Sequence, residues 1–301
     1  MSDKTYILCP GQGAQAVGMG KEIYDASAPA RRYFDLARHL VGFDLPTFCF
    51  SGPEERLNQT DVSQPAIYVT SVASFAAAGL TAETVTAWAG LSLGEYTALH
   101  LAGVFSFEDG LKLVAARGKF MQEAATALPS GMVAIMGGDE AAVSALCDKA
   151  RQGEVLSPAN FNAPGQIVVS GSSGACQRVL AEAEASGLKA TPLKVAGAFH
   201  SSLMRPAADK MRAELDKVAF RPPRGPVYAN VTAQPHGDVE SIKARLVEQI
   251  VQPVRWEQTM TALIGQGGDA ARFVELSPGR TLAGLAKRIN RRLPIESLDK
   301  K

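Results

Sequence analysis

The chain has 301 residues, enough to bury a sizeable core, and this length favours one large domain or a large domain with an insertion. Its formal net charge of +1 gives no indication of bulk nucleic-acid binding. Four scattered cysteines without a C-x-x-C pair argue against a disulfide framework and a structural zinc site, and predict reduced thiols in a cytosolic protein. No stretch has the length and hydrophobicity of a signal-peptide core or a membrane span.

The first part of the chain alternates strand and helix signals. We predict strands over residues 5–9 and 85–89, helical material within 18–40, and helices over 64–79 and 93–101. A longer helix is predicted over about 108–128, where Ser106 and Asp109 have the spacing of a capping box. This alternation is typical of an α/β fold with a mainly parallel sheet.

The middle of the chain follows the order β-α-β-β-α-β. Strands are predicted over residues 131–136, 155–161, 166–170 and 189–195, and helices over 139–151 and 173–186. The turn at 162–165 contains proline and glycine and separates the two central strands as in a hairpin. This order predicts a small ferredoxin-like domain, inserted at residues 128–196.

The last part returns to the larger pattern. A helix carries the apolar face Leu203, Ala207, Met211 and Leu215, and it is followed by a strand near 227–231. Two helices are predicted within 239–265, then a strand over 272–276 and a basic helix over 281–292. The cleft between the two domains is the expected place for a site.

A serine lies where a predicted strand ends and a helix begins, within Gly90-Leu91-Ser92-Leu93-Gly94. Glycines two residues to either side allow a sharp turn that exposes the hydroxyl beside backbone amides. Such a strand-turn-helix unit is typical of an acyl-transfer nucleophile, although a purely structural turn uses the same small residues. We interpret Ser92 as the candidate nucleophile.

A serine nucleophile needs a base near neutral pH, and histidine is the side chain suited to this. His39 and His236 lie in stretches where solvated side chains are expected. His100 is on the helix that follows Ser92, about 12 Å along its axis, and is too far to reach back. His200 lies in a loop of small residues at the predicted domain boundary, and it is either the base or a structural histidine.

The segment Pro10-Gly11-Gln12-Gly13-Ala14-Gln15 directly follows the first predicted strand. It lacks the G-x-G-x-x-G spacing, and no Lys-Ser or Lys-Thr pair follows as in a phosphate-binding loop. Its backbone amides can bind an oxyanion, and the alternative is a glycine turn with no further role.

Arg117 is predicted to project from the apolar face of its helix, because its neighbours three and four positions away are apolar. A buried guanidinium needs an anion, either a protein carboxylate or the carboxylate of a bound substrate. Gln249 falls on the apolar side of a later helix, where it is either a buried amide with a specific hydrogen bond or partly exposed. No acid is placed as the third member of a triad, so a backbone carbonyl or amide oxygen is the candidate to orient His200.

These motifs occur in one order along nearly the whole chain. They are Gly11-Gln12-Gly13-Ala14-Gln15, Gly90-Leu91-Ser92-Leu93-Gly94-Glu95-Tyr96, Arg117-Gly118-Lys119-Phe120-Met121-Gln122, Asn160-Phe161-Asn162-Ala163-Pro164-Gly165-Gln166, Phe199-His200 and Gln249. Together they resemble the malonyl-CoA:acyl carrier protein transacylase family of fatty-acid synthesis. The resemblance implies a hydrolase-like large α/β domain, residues 1–127 and 197–301, with the ferredoxin-like domain inserted at 128–196.

The same resemblance implies roles for individual residues. Ser92 is the nucleophile and His200 its base, and the backbone amides of Gln12 and Leu93 form the oxyanion hole. Arg117 binds the malonyl carboxylate, and Gln249 orients His200 and lines the pocket. The remaining substrate-binding positions that the resemblance implies are Asn160, Asn162, Phe199 and Met121.

The implied activity is transfer of a malonyl group from malonyl-CoA to an acyl carrier protein through a malonyl-serine intermediate. No metal or redox cofactor is needed, and we expect a cytoplasmic monomer without nucleic-acid or membrane partners. The alternatives are a serine thioesterase or esterase, a trans-acting acyltransferase of a polyketide pathway, and a non-catalytic carrier-binding module. The last of these is expected to lack Ser92 or His200, and this chain has both.

Two short stretches depart from the usual family pattern. Leu91 stands where most members have histidine. Ala198 and Phe199 are similar to malonyl-selective polyketide domains, in which the phenylalanine crowds an α-methyl branch. The densest basic helix is a carrier-docking surface or simply a solvated face; it contains Lys287, Arg288, Arg291 and Arg292.

Overall fold

The structure is a computed structural model that describes residues 4–268 and 270–299. The strands in these residues are β1 Thr5–Cys9, β2 Ala87–Gly90, β3 Ser130–Met136, β4 Leu156–Ala163, β5 Gln166–Ser172, β6 Lys189–Pro192, β7 Arg272–Glu275 and β8 Ile295–Ser297. The helices are α1 Lys21–Ala26, α2 Ala28–Leu40, α3 Leu45–Ser51, α4 Glu54–Leu57, α5 Thr60–Ala77, α6 Gly94–Leu101, α7 Phe107–Ala127, α8 Glu140–Arg151, α9 Ser173–Ala185, α10 Arg205–Asp216, α11 Val239–Val251, α12 Trp256–Gly267 and α13 Thr281–Ile289.

One sheet is parallel and has the strand order β2-β1-β7-β8. Because the strands run in one direction, their carboxyl ends meet at the same edge of the sheet. The connections that leave this edge include the glycine segment after β1 and the Ser92 turn after β2. The prediction of an α/β fold with a parallel sheet is confirmed.

The second sheet is antiparallel, with the order β4-β5-β3-β6. β3 pairs with both β5 and β6, and β4 and β5 form the hairpin expected from the turn between them. Helices α8 and α9 pack on this sheet around a separate hydrophobic cluster that includes Ile135, Leu146 and Val169.

Main-chain hydrogen bonds join the antiparallel sheet to the segment between α11 and α12. The Val254 N–H donates to Ala159 O at 2.9 Å, and the Phe161 N–H donates to Val254 O at 2.9 Å. The two parts of the molecule are therefore tied together by backbone groups as well as by the chain crossings.

Helix α5 runs through the main hydrophobic core, and every residue from Val62 to Phe75 is buried. A helix that is enclosed on all sides needs small or apolar residues around its whole circumference, which its sequence supplies. It packs against α2 and α7, and α7 carries Arg117. The rigid position of α7 fixes where this side chain can reach.

The helix start at Ser106 is confirmed, because its Oγ accepts the Asp109 N–H at 3.0 Å. The strand predicted near 227–231 is wrong: the chain makes only isolated bridges there and then turns back at Ala233, whose φ is +55°. The basic helix ends at Ile289 rather than at 292, and β6 ends at Pro192. The prediction omitted α3, α4 and β8.

No helix in the described part of the chain combines the length and the hydrophobicity required to cross a membrane.

Candidate active site

Ser92 lies in the turn between β2 and α6 with a φ of +53°, a left-handed conformation that is rare for a residue with a side chain. The turn is possible because two glycines flank it. A Cβ on Gly90 would lie 1.9 Å from the Gly94 carbonyl carbon, and one on Gly94 would lie 2.1 Å from Cys9 O. The predicted sharp turn is therefore present, and any larger side chain at either glycine would displace it.

His200 lies against Ser92, with Nε2 at 2.8 Å from Ser92 Oγ. Its Nδ1 is 2.7 Å from the backbone oxygen of Gln249. A carbonyl oxygen can only accept, so Nδ1 carries the proton and Nε2 is free to accept one. The imidazole N–H is thus bound by a backbone carbonyl and not by an acidic side chain.

Burial of the imidazole, together with the nearby positive charge of Arg117, lowers the pKa of His200 to about 4. The side chain is 4% exposed and is neutral at pH 7. The φ of His200 is +57°, so His200 and Ser92 both have the strained left-handed backbone conformation. Such strain is maintained only where the surrounding structure holds it, as it does here.

The other histidines lie away from Ser92 Oγ. His39 is exposed as expected, and the half-buried His100 makes its hydrogen bond to Phe105 O at 3.1 Å. The expectation of a solvated His236 is wrong. Its side chain is fully buried, with Nε2 at 2.8 Å from Glu95 Oε1, because the turn that follows residue 229 folds back onto α6.

Arg117 is 1% exposed and forms no ion pair with a carboxylate of the described residues. Its Nη1 donates to Gln64 Oε1 at 2.8 Å, and its Nη2 donates to Ser92 Oγ at 3.1 Å and to Gln249 Oε1 at 2.8 Å. The protein salt bridge considered for it is therefore not found among the described residues.

A guanidinium has five N–H donors, so these three bonds leave two of them unused. One of these is the buried Nε of Arg117, which has no partner among the described residues. Burial lowers the pKa of Arg117, while Tyr96 and Glu95 act in the opposite direction. A buried positive charge with unused donors beside the Ser92 hydroxyl is suited to binding an anionic group.

Gln249 is fully buried, so the partly exposed alternative is wrong. Its Nε2 donates to Ser92 O at 2.9 Å and to Glu95 Oε2 at 2.7 Å, while its Oε1 accepts from Arg117. Its contact with His200 runs through the backbone carbonyl and not through the amide side chain, and its role in orienting His200 stays a prediction.

Two further amide residues hold the site and were missed from the sequence. Asn230 Oδ1 accepts the Ser92 N–H at 2.6 Å, and its Nδ2 donates to Gly90 O at 2.7 Å. Gln64 accepts from Arg117 and lies on the fully buried face of α5. An amide in an apolar helix was a usable signal for Gln64, whereas Asn230 lies in a segment without regular structure.

The backbone N–H groups of Gln12 and Leu93 make no hydrogen bond to another described residue. The glycine segment lies directly against the Ser92 turn, since a Cβ on Gly11 would approach Leu91 O to 2.4 Å. Leu91 itself is half-buried, and its side chain packs on the cluster beneath the parallel sheet. The turn therefore accommodates a leucine at this position through apolar packing.

The remaining predicted positions lie on several elements. Asn160 and Asn162 are on β4, and neither side chain makes a hydrogen bond within the described chain. Phe199 and Met121 are 6% and 2% exposed and belong to the main core. Met121 Sδ accepts a hydrogen bond of 3.6 Å from Gln64, which also binds Arg117.

A cavity of about 800 Å³ lies elsewhere on the carboxyl edge of the parallel sheet, near Met19, Ser277 and Arg280. Neither Ser92 nor His200 lines it. Residues 4–268 and 270–299 contain no group of three or more His, Cys, Asp or Glu side chains placed to hold a metal ion.

Residues 5–296 match the family model described as acyl transferase domain. A malonyl CoA-acyl carrier protein transacylase from Bacillus subtilis is 41% identical over 295 residues, which cover 96% of this chain and 92% of the relative. A relative with the same name from Escherichia coli K12 is 40% identical, with 97% and 95% covered.

Solved structures give the same result. The malonyl CoA-acyl carrier protein transacylase from Coxiella burnetii superposes with a TM-score of 0.95 at 38% identity, covering 99% of this chain and 94% of the other. A malonyl-transacylase solved in complex with its type II polyketide acyl-carrier protein matches with a TM-score of 0.93 at 38% identity, covering 99% and 97%.

Proposed function

The chain belongs to the acyl transferase domain family, and we propose that it transfers a malonyl group from malonyl-CoA to the phosphopantetheine thiol of an acyl carrier protein in fatty-acid biosynthesis. The observation that carries this proposal is the position of Arg117. Its buried guanidinium contacts Ser92 Oγ, has two unused donors and lacks a carboxylate partner in the described chain. A malonyl group supplies that carboxylate.

The first half-reaction forms malonyl-Ser92. His200 Nε2 accepts the hydroxyl proton as Ser92 Oγ attacks the thioester carbon of malonyl-CoA. The tetrahedral oxyanion accepts hydrogen bonds from the Gln12 and Leu93 amides, which have no other partner among the described residues. When the carbon–sulfur bond breaks, the imidazolium returns the proton to the departing CoA thiolate.

The second half-reaction reverses these steps with a different thiol. His200 accepts the proton of the phosphopantetheine thiol as its sulfur attacks the malonyl-Ser92 ester. The oxyanion forms at the same amides, and its collapse breaks the ester bond as the proton passes to Ser92 Oγ. The lowered pKa of His200 keeps the imidazole neutral at the start of both half-reactions.

The amide partners of Arg117 explain how a charged side chain can be buried in the site before substrate binds. Gln64 and Gln249 offer neutral oxygens, so they fix the guanidinium without cancelling its charge. A direct ion pair with a protein carboxylate would have to be broken before substrate could bind. The proposed clamp therefore selects a diacid group over a plain acyl chain.

We also infer the finer domain description. The strand order and antiparallel pairing of the second sheet, with α8 and α9 between its strands along the chain, support a ferredoxin-like domain inserted at 128–196. The serine turn at the carboxyl edge of the parallel sheet supports the hydrolase-like description of 1–127 and 197–301. Four buried, unpaired cysteines support a cytoplasmic location.

The other expected substrate-binding positions remain part of the proposal. Asn160 and Asn162 have side-chain amides free to bind substrate, and Met121 lies beside Gln64, which contacts Arg117. Phe199, adjacent to His200, is assigned to exclude an α-methyl branch. We propose a monomer that uses no metal or redox cofactor and takes malonyl-CoA and a carrier protein as its partners.

The experiment that tests the function is intact-protein mass spectrometry after mixing with malonyl-CoA, followed by addition of a holo carrier protein. We expect one malonyl adduct on the wild-type chain and none on Ser92→Ala. Ser201→Ala is the matched control, because this buried serine adjoins His200 but hydrogen bonds to Ala198 O. Absence of the adduct, or its persistence in Ser92→Ala, would overturn the mechanism. Free malonate in place of malonyl carrier would indicate a thioesterase.

A further inference from the structure

We propose that Glu95 is a positioning residue that holds both the Arg117 clamp and the Ser92 turn, each through one neighbouring amide residue. This inference rests on the proposed function. Glu95 lies in the first turn of α6 and is fully buried, and the catalytic steps make no use of it.

The carboxylate of Glu95 is held by three groups, none of which is a lysine or an arginine. Its Oε2 accepts the Asn230 N–H at 3.0 Å and the Gln249 Nε2 at 2.7 Å. Its Oε1 lies 2.8 Å from Nε2 of the fully buried His236. A buried carboxylate is costly, so its retention beside a reactive site calls for a role that an apolar residue could not fill.

The first connection runs through the side chain of Gln249. An amide has one accepting end and one donating end, and a carboxylate can only accept. Gln249 Nε2 donates to both Glu95 Oε2 and Ser92 O, which fixes the orientation of the amide. Its Oε1 therefore faces Arg117. If the amide rotated by half a turn, its N–H groups would face the guanidinium donors and the clamp would lose a partner.

The second connection runs through Asn230. Glu95 binds the backbone N–H of this residue, and its side chain in turn binds the Ser92 N–H and Gly90 O. The strained φ of Ser92 is thus supported by an asparagine that Glu95 fixes in place. One carboxylate determines the position of the nucleophile and of the clamp together.

The arrangement also separates two buried charges by a single neutral group. The Gln249 amide lies between Arg117 and Glu95, with 2.8 Å to the first and 2.7 Å to the second. The opposite charges still attract across the amide, which offsets part of the cost of burying both. Because they do not touch, the unused donors of Arg117 stay available to the substrate.

The test compares Glu95→Gln with the wild type in acylation by malonyl-CoA and by acetyl-CoA. A neutral amide presents a single acceptor and lets Gln249 rotate, so the ratio of kcat/KM for malonyl-CoA to that for acetyl-CoA should fall roughly ten- to a hundredfold. The rate with acetyl-CoA measures the second connection, in which Asn230 supports the Ser92 turn. This rate should also fall. A loss of folded protein would lower both rates equally and leave the ratio unchanged.

Glu275→Gln is the matched control, since Glu275 is another fully buried carboxyl, and it binds backbone amides at the start of α13 and not Gln249 or Asn230. We expect it to lose stability and to keep the wild-type ratio. If Glu95→Gln fails to fold, Glu95→Asp gives the same readout, because the shorter carboxylate cannot reach Gln249 and His236 together. An unchanged ratio in whichever variant folds would overturn the role of Glu95. If the wild type forms no malonyl adduct, the proposed function fails instead.

Discussion

The connection from β7 to α13 and the connection from β2 to α6 both begin at the same edge of the parallel sheet. They differ in whether a side chain binds the first N–H groups of the helix that follows. After β7, the Glu275 carboxyl accepts the N–H groups of Leu282 and Ala283 at 2.7 and 2.9 Å and so caps α13. After β2, no side chain caps α6, and the Leu93 amide has no partner among the described residues.

The bound amides of the β7 connection stabilise the fold, whereas the open amide of the β2 connection is available to a reacting group. The first turn of a helix presents unpaired N–H groups and a partial positive charge, which a nearby carboxyl group satisfies. In the β7 connection the Leu282 and Ala283 amides are already bound to Glu275, so these two donors are not open to a ligand. The β2 connection leaves an amide open beside Ser92, where an oxyanion is proposed to form. Its acidic residue, Glu95, faces the opposite way, toward Asn230 and Gln249.

The largest loss of acylation rate is expected when a side chain is added to Gly94, at the start of α6 after the β2 turn. In Gly94→Ala the added Cβ would lie 2.1 Å from Cys9 O, so the turn must shift and the Leu93 amide with it. We expect acylation by malonyl-CoA to slow roughly 10²- to 10³-fold. Gly284→Ala in α13 is the control, because a Cβ there meets nothing within 4 Å. It should raise thermal stability slightly, and a fully active Gly94→Ala would refute the assignment.

The next largest effect concerns the positive charge of Arg117 beside Ser92 Oγ. Removing the guanidinium in Arg117→Ala should reduce the kcat/KM ratio of malonyl-CoA to acetyl-CoA roughly ten- to a hundredfold, the value of a charge-assisted hydrogen bond to a carboxylate. Arg117→Lys keeps the positive charge but lacks the planar guanidinium. Its kcat/KM ratio should lie between those of the wild type and Arg117→Ala. Equal losses for both substrates would show that Arg117 supports the fold rather than the substrate.

The closed connection should affect stability rather than rate. Glu275→Gln is expected to cost about 1 to 3 kcal/mol of unfolding free energy, measured by denaturant titration, with the acylation rate unchanged. Burial raises the pKa of Glu275 to about 7 from its ordinary 4.5. A raised folded-state pKa contributes stability below pH 4.5 that is lost as the pH rises through 7. The difference between wild type and variant should therefore shrink over this interval; a growing difference would contradict the assignment.

The smallest change is expected in the pH dependence of the reaction near neutrality. The base is active while His200 is neutral, so kcat/KM should be constant from pH 7 to about 5 and fall as the pH passes through about 4. Arg117 contributes to this lowered pKa, so the inflection should move upward in Arg117→Ala. Circular dichroism at each pH separates this effect from unfolding. An inflection near 6.5 in the wild type would show that His200 is not shielded as described.

Residues with a local signature were predictable from the sequence. Ser92 lies between glycines at a strand-to-helix change, His200 lies in a small-residue loop, and Arg117 interrupts an apolar helix face. Each pattern extends over a few positions, within which steric and helical periodicity arguments hold. The geometry agrees with these three assignments, and their chemical roles remain predictions.

Residues that act across the fold were not predictable in this way. Asn230 and Ser92 are 138 positions apart, and Gln64 and Arg117 are 53 apart. The sequence pattern predicts a strand near 227–231, whereas the chain makes only isolated bridges there and the Asn230 amide reaches Gly90 O. Such contacts depend on how the elements pack, which no local pattern encodes.

The backbone bonds between Val254 and β4 have a consequence for how such a protein can diverge. Replacing the side chains of Ala159, Phe161 or Val254 leaves these bonds in place, because main-chain groups form them. Gln249, whose carbonyl holds His200, lies five positions before Val254 in the same tied segment. The side chains of the antiparallel sheet can therefore change in sequence while Gln249 and His200 keep their alignment.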